Sequence, residues 1–377
     1  MKIVYCINTI QPVGGQEIIT VLKAKALANK GVDVWIACTE ASDTTIIGNI
    51  PHLRMVDLEV RYNENIKPFP WNCIIKTQKK IKHRKRLSLL LRDISPDIVV
   101  STRTEEYRFL PYIKGDWKIV REFHCTREYR KKSSSSSFER VLAFWGDWRD
   151  SLLYQRYDRI IVLTEEERQK YWKKNSVVRV IPNPIRFISE TRSSVENKRV
   201  ISIGRLVSIK NFQSLIRAFK KVACRFPDWR LDIIGQGPEK ESLQQLINSE
   251  GLEGVVFLKG YSDNIQNELI ASSIFAFTSV SEAFGLVIIE AMSCGLPVVS
   301  YNSPFGTREI INDGINGFLV PLGDEEMLAD RICLLMGDKE LRKRIGIIAA
   351  ETAKKYSMDK IVEMWLYLFK EIVEKKS

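Results

Sequence analysis

The chain has 377 residues, a length that predicts two domains. Hydrophobic residues make up 45% and charged residues 28%, which is typical of a globular protein and excludes a disordered, collagen-like or wholly coiled-coil chain. The apolar stretches are far shorter than the roughly 20 residues that cross a bilayer, and the N-terminus has a strand pattern instead of a signal peptide, so we expect a cytoplasmic protein. Seven scattered cysteines without CxxC spacing argue against disulfides and zinc.

The net positive charge of the chain comes entirely from its first half. Residues 1–185 carry 33 Lys and Arg against 21 Asp and Glu, whereas residues 186–377 carry 25 of each. The densest basic run, 76–86, includes apolar residues at helical spacing, and a second run at 127–132 precedes an aromatic segment at 138–148. This combination favours docking on an anionic membrane surface, with a merely solvated helix face as the alternative. No nucleic-acid-binding motif accompanies the charge, so we expect no nucleic acid partner.

Short β-branched runs alternate with helical periods along the chain, which predicts parallel sheets covered by helices on both faces. The predicted strands of the first half are residues 2–7, 33–38, 53–58, 97–101, 118–123, 159–163 and 177–181. Those of the second half are residues 199–203, 230–234, 255–258, 274–278, 297–301 and 318–320. Between the two series lie a Pro-Asn-Pro turn at 182–184 and a polar stretch at 189–198. We therefore expect two Rossmann-like, doubly wound α/β domains, 1–185 and 186–356, and a C-terminal amphipathic helix within 357–377.

Ligands of such sheets bind at the carboxyl ends of the strands, and unusual residues follow two of the first-domain strands. Gly14 and Gly15 lie between the first strand and a helical period, where glycine lets the backbone approach an anion, although an ordinary turn explains them equally well. His124 follows the strand at 118–123, and either a structural or a functional role fits this position.

The first strand of the second domain is followed by two cations on one loop. Arg205 and Lys210, five residues apart in the segment that begins with Gly204, can hold a diphosphate from two sides. Ordinary surface cations remain the alternative interpretation.

An apolar helix predicted to begin near Phe284 or Gly285 is the other candidate in this domain. The N–H groups of Phe284, Gly285 and Leu286 would face outward as an anion site. Glu282 lies just before this helix, where it is either a ligand of a sugar hydroxyl or a helix cap. Glu290 lies inside the apolar stretch, where it binds a ribose hydroxyl or forms a buried ion pair.

Five segments in this order resemble the retaining glycosyltransferases of family 4, which have the two-domain GT-B fold. They are GGQE at 14–17, GRLVSIKN at 204–211, IIGQGPEK at 233–240, SEAFGLVIIEAMSCGLPVV at 281–299 and REIINDGINGFLV at 308–320. The absence of HExxH, GxSxG and P-loop patterns removes the metalloprotease, α/β-hydrolase and kinase alternatives.

The resemblance implies a role for each candidate residue. Arg205 and Lys210 would bind the donor diphosphate together with the amides of Phe284, Gly285 and Leu286, Glu282 the transferred sugar, Glu290 the ribose, and His124 the sugar near the reacting carbon. Gly14, Gly15 and Gly204 would belong to the nucleotide site, with Gly15 closing over the diphosphate. The family generally needs no divalent metal, and the implied C-terminal helix packs back on the first domain.

The implied reaction moves a hexose or N-acetylhexosamine from a nucleotide-diphosphate sugar, in the expected case a UDP-sugar, to a hydroxyl of a lipid-linked or polysaccharide-precursor glycan at the inner face of the membrane. A soluble transferase acting on a small or polymeric sugar, a non-catalytic sugar-nucleotide binder and an epimerase of the same architecture remain alternatives. A basic nucleic-acid protein is disfavoured because Arg205, Lys210, Glu282 and Glu290 are all in place.

Overall fold

A computed structural model describes residues 1–10, 15–41, 48–62, 64, 71–102, 105–126, 149–173 and 175–374. The chain divides into two compact units. Met1–Pro184 and Met358–Ser377 form the first unit, and Ile185–Ser357 form the second. Both boundaries lie one residue from the positions that the sequence suggested. The second basic run, the aromatic segment 138–148 and Gly14 lie outside the described residues.

Every predicted strand is present among the described residues. The strands are β1 Lys2–Ile10, β2 Asp33–Ala41, β3 Leu53–Asp57, β4 Ile98–Ser101, β5 Lys118–Glu122, β6 Arg159–Val162, β7 Val178–Val180, β8 Arg199–Ile203, β9 Arg230–Ile234, β10 Val256–Gly260, β11 Ile274–Phe277, β12 Val298–Tyr301 and β13 Gly317–Val320. The helices are α1 Gly15–Asn29, α2 Trp71–Ile94, α3 Glu165–Trp172, α4 Phe212–Arg225, α5 Lys240–Ser249, α6 Ile265–Ile270, α7 Leu286–Ser293, α8 Gly306–Ile310, α9 Glu325–Gly337, α10 Lys339–Ala353 and α11 Met358–Glu374.

The sheet of the first unit is parallel throughout, with strand order β3-β2-β1-β4-β5-β6-β7. Successive residues of β1 point to opposite faces and are buried on both. Ile3 and Tyr5 pack in a cluster with Trp365 of α11, while Val4 packs in a second cluster with Leu87 of α2. Helices therefore cover both faces, which is why the strands are almost continuously apolar.

The second unit repeats this architecture around the strand order β10-β9-β8-β11-β12-β13, again with all neighbours parallel. Its core joins strand residues such as Val200 and Ile233 to Phe219 of α4 and Ile332 of α9. The predicted fold class, two Rossmann-like doubly wound domains, is confirmed. Within the described part of the chain, no helix has the length and apolar character needed to span a membrane.

Candidate functional site

Two loops at the carboxyl edge of the second sheet bring Lys210 and Glu282 together. The loops follow β8 and β11, which are neighbouring parallel strands. The Lys210 ammonium donates a hydrogen bond to Glu282 Oε1, and Ser279 Oγ donates to the same oxygen at 2.8 Å. Thr278 Oγ1 also donates to the Lys210 carbonyl at 3.0 Å. Two residues predicted for one site from distant segments thus form an ion pair that is still partly open to solvent.

Close backbone packing against the loop after β9 fixes the loop that carries Arg205 and Lys210. Leu206 N–H donates to the Gln236 carbonyl at 2.9 Å. A Cβ atom on Gly237 would lie 2.3 Å from the Leu206 carbonyl oxygen, and one on Gly235 would lie 1.9 Å from that of Gly204. Only glycine fits at these two positions, so the two glycines of the IIGQGPEK segment support the site through close backbone packing.

Arg205 itself is exposed, and its guanidinium makes no hydrogen bond or ion pair with any described residue. A planar cation held on a fixed backbone and lacking a protein partner is available to bind an anionic ligand. Its assignment to the diphosphate stays a prediction.

The helix that follows Glu282 begins slightly later than the sequence suggested. Gly285 adopts a left-handed conformation (φ 96°), and α7 starts at Leu286. Phe284 lies before the helix. Its ring is buried and packs edge-on against the Tyr356 ring, with 5.3 Å between the ring centres. The carbonyl oxygen of Phe284 would be only 2.1 Å from a Cβ atom on Gly306. The first N–H groups of α7 have no partner within the helix, as at any helix start, and their role as a phosphate site stays a prediction.

Glu290 is completely buried in α7 and is bound by Arg186. Arg186 Nε donates to Oε1 at 2.5 Å and Nη2 donates to Oε2 at 2.6 Å. Burial raises the pKa of the Glu290 carboxyl, and the hydrogen bonds from Arg186 oppose that effect. The ion pair expected as one interpretation of Glu290 is therefore present. Arg186 was missed in the sequence analysis, although the need for a buried carboxylate to have a partner was the signal for such a cation.

In the first unit, Gly15 and His124 lie at the carboxyl edge of the sheet. Gly15 is exposed at the start of α1, after β1, and His124 follows β5. His124 Nε2 lies 3.3 Å from Glu122 Oε1, and its side chain is 4% exposed. The same carboxylate oxygen accepts a hydrogen bond from Lys23 of α1. Neither Lys23 nor Glu122 was assigned a role from the sequence, although a lysine in an otherwise apolar stretch of α1 is a signal for a buried partner.

Family models match nearly the whole chain in two consecutive pieces. The model for Glycosyltransferase Family 4 matches residues 13–187, and the model for Glycosyl transferases group 1 matches residues 186–352. The chain belongs to the family 4 glycosyltransferases. The match covers both units, so the family resemblance of the five sequence segments is confirmed.

Two relatives that match most of this glycosyltransferase are 28% and 29% identical to it. An uncharacterized glycosyltransferase of Haemophilus influenzae is 28% identical over 97% of this chain and 98% of its own length. The lipopolysaccharide core biosynthesis glycosyltransferase LpsE of Rhizobium meliloti is 29% identical over 77% of this chain and 78% of its own length. The crystal structure of Anabaena HepE in complex with UDP covers 98% of this chain and 100% of its own, with a TM-score of 0.78 and 20% identity. That last similarity shows the GT-B fold.

Proposed function

We propose that this glycosyltransferase moves a hexose or N-acetylhexosamine from a UDP-sugar, with retention of configuration, to a hydroxyl of a lipid-linked or polysaccharide-precursor glycan. The observation that carries the proposal is the Lys210–Glu282 ion pair, with its lysine on the loop that also carries Arg205, whose guanidinium has no partner among the described residues. A cation and a carboxylate on adjacent loops of one sheet edge support binding of phosphates and sugar hydroxyls there. The UDP bound by HepE and the function named for LpsE support the donor and the acceptor class.

In the proposed reaction, these residues stabilise the departing diphosphate. As the bond between the anomeric carbon and the phosphate oxygen breaks, negative charge grows on the diphosphate, and Arg205, Lys210 and the first N–H groups of α7 stabilise it. The acceptor oxygen bonds to the same face of the anomeric carbon, and its proton passes to the departing phosphate oxygen. No protein nucleophile is needed.

We assign the other predicted residues supporting contacts. Glu282 orients the transferred sugar, Glu290 binds the ribose while bound to Arg186, and His124 contacts the sugar near the reacting carbon. Gly15 approaches the diphosphate through its backbone. Removing one charge-assisted contact to the phosphates costs about 1.5 to 3 kcal/mol, or about one to two decades in rate when it is felt in the transition state.

We further propose that α2 docks the enzyme on an anionic membrane, at the inner face in the cell. Leu87 and Leu91 of α2 are buried in the core of the first unit. The opposite side of the helix exposes large apolar side chains within the basic run and on both sides of it. These are Trp71, Ile74, Ile81 and Leu89. An apolar stripe flanked by lysine and arginine is the pattern of a helix that lies in the interface plane.

Three cations of the basic run, Lys79, Lys82 and Arg86, also form hydrogen bonds within the first unit. Lys79 and Lys82 donate to backbone carbonyls of residues 59–64, and Arg86 donates to the Leu58 carbonyl and pairs with Glu59. These side chains hold residues 58–62 and 64, which follow β3. Lys76, Arg84 and Lys85 are exposed and make no such contacts with described residues, so they are available to lipid headgroups.

The donor assignment is tested with UDP-glucose, UDP-galactose, their N-acetyl forms, GDP-mannose and ADP-glucose, without added metal. Binding is measured by thermal shift. Slow hydrolysis of the donor is measured by release of the nucleotide. Both measurements are made on the wild type and on Arg205→Ala. A ligand at 100 times its Kd adds about 2.7 kcal/mol of stability. A shift with one UDP-sugar that is lost in Arg205→Ala supports the proposal; selective binding of another nucleotide, or binding indifferent to Arg205, contradicts it. NMR of the transferred anomer tests retention.

A further inference from the structure

A buried ion pair lies directly behind His124. The ammonium of Lys23 donates to Glu122 Oε1, and both side chains are 1% exposed. His124 Nε2 lies 3.3 Å from that same oxygen. Neither imidazole nitrogen makes a hydrogen bond of good geometry with a described residue, although both are buried. Glu122 thus has a cation on one side and an imidazole on the other.

The position of Lys23 is costly for a group that serves only packing. It lies in the middle of α1, with its ammonium 4.5 Å from the centre of the Trp365 ring and 5.8 Å from that of Tyr5. An apolar pair of similar volume is often at least as stable as a buried ion pair, so the two charges need another explanation than stability. The nearest group whose chemistry they can control is the imidazole of His124.

We propose that Glu122 is a positioning residue that fixes the orientation of the His124 imidazole, with Lys23 holding the carboxylate in place. This inference rests on the proposed contact of His124 with the transferred sugar. When Nε2 of the imidazole faces the Glu122 carboxylate, the other ring nitrogen is left for a ligand.

The charges around Glu122 keep its carboxyl ionised. Burial opposes ionisation of Glu122, but Lys23 and His124 together outweigh it and lower its pKa to about 2, so the carboxylate is negative throughout the neutral range. The described titratable groups that face it are Lys23 from α1, Tyr5 from β1 and His124 from its own loop. Removing Glu122 takes an anion from His124, whereas removing Lys23 takes away a competing cation.

The first experiment follows the imidazoles by NMR in ¹⁵N-histidine-labelled protein. The chain has three histidines, and His124→Gln identifies the signals of the third. Glu122→Gln should change the ¹⁵N chemical shift of His124 Nε2, because the anion beside that nitrogen is lost, and Lys23→Met should change it because the carboxylate loses the cation that holds it. The double variant Lys23→Met/Glu122→Gln removes both charges and keeps the volume. Signals of His124 that are unchanged in both single variants overturn the proposal.

The second experiment links the orientation of the imidazole to turnover. In Glu122→Gln we expect kcat to fall about tenfold or more with little change in KM, because the misoriented ring loses its contact with the transferred sugar. Glu371→Gln is the matched control, because it breaks the Arg159–Glu371 ion pair of the same unit, 2.7 Å long and far along the chain from His124. A kcat that is unchanged in Glu122→Gln, or lowered equally in Glu371→Gln, overturns the positioning role. If the wild type transfers no sugar from any donor, the proposed function fails, while the NMR result still decides whether Glu122 controls His124.

Discussion

Arg186, two residues after the prolyl residue that ends the first unit, binds both carboxylate oxygens of Glu290 in the middle of α7, at 2.5 and 2.6 Å. The glutamate is completely buried, whereas about a third of the arginine side chain is exposed. A parallel two-bond pair fixes the plane of the carboxylate and its rotamer. The residue assigned to the ribose is therefore preorganised by a cation at the start of its own unit.

Replacing Arg186 by Met is expected to weaken UDP binding about tenfold and to lower the stability of the second unit. The free energy of unfolding should fall by about 1 to 3 kcal/mol, less than for a fully buried pair, because solvent screens the exposed part of Arg186. Calorimetric titration with UDP measures the first effect and denaturant unfolding the second. Arg192→Met, which removes a half-exposed partner of Glu351, is the control and should change neither by much. UDP affinity unchanged in Arg186→Met would contradict the preorganisation.

Replacing Arg205, Lys210 or Glu282 of the proposed donor site should have different effects, because Arg205 has no partner among the described residues whereas Lys210 and Glu282 form an ion pair. Arg205→Ala is expected to reduce kcat/KM by about one to two decades with no loss of thermal stability, because its guanidinium makes no contact with described residues. Lys210→Met and Glu282→Gln should each reduce it as well. Since these two side chains share a hydrogen bond, their effects should be non-additive by about 0.5 to 3 kcal/mol in a double-mutant cycle. Strict additivity would mean that the pair does not act as one unit.

The sequence was sufficient for the strands, since buried parallel strands are nearly continuous apolar runs between turn residues. It also placed Lys210 and Glu282 at one sheet edge, because the carboxyl ends of neighbouring parallel strands meet there. Arg186, Lys23 and Glu122 could not be assigned in this way. Their pairing depends on which helix packs over which strand, and a single cation or carboxylate in the sequence does not specify that. The start of α7 was misplaced because Gly285 adopts a left-handed conformation, which composition does not reveal.

Gly237 should be intolerant of even a methyl group. A Cβ atom there would meet the Leu206 backbone, at 2.3 Å from its carbonyl oxygen, so Gly237→Ala must displace the loop that carries Arg205. We expect at least a tenfold loss of UDP affinity, measured by calorimetric titration. Gly254→Ala is the matched control, because it lies in the same unit, has no atom within 4 Å of the added Cβ and has no positive φ. Equal UDP affinity in the two variants would show that the loop contact does not matter for binding.

Membrane docking by α2 should depend on its outward apolar face. Ile81 is 64% exposed there, and Ile81→Glu adds a negative charge among the cations without touching the core. Binding to vesicles containing phosphatidylserine, measured by sedimentation, should fall several-fold, and wild-type binding should weaken as salt rises from 0.05 to 0.5 M because the Debye length shrinks. Ile347→Glu is the control, since this isoleucine is 55% exposed on α10 of the second unit. Salt-independent binding, or none to anionic vesicles, would favour an enzyme that acts on a soluble acceptor.

Glu106 should make the stability of the first unit depend on pH. Its carboxyl is fully buried, accepts a hydrogen bond from Ser101 at 2.8 Å, and has an Oε2 that makes no hydrogen bond with described residues. Burial raises its pKa from 4.5 to about 7, with Arg121 opposing the change. Between these values the folded chain keeps a proton that the unfolded chain releases. The stabilisation is therefore complete below about pH 4.5 and is lost as the pH rises to about 7.

Over this range the free energy of unfolding of the wild type should fall relative to Glu106→Gln by up to about 3 kcal/mol, and then stay level above pH 7. This free energy is measured by urea unfolding, with tryptophan fluorescence as the signal. Trp229 is the single tryptophan of residues 185–357, so the fluorescence reports mainly on the first unit. Glu105→Gln is the control: this neighbour is 41% exposed and pairs with Lys80, and its charge is the smallest of the causes that act on the pKa of Glu106, so the pH dependence should persist in this variant. A difference between wild type and Glu106→Gln that is constant from pH 4.5 to 8 would mean that Glu106 keeps the same protonation in both states.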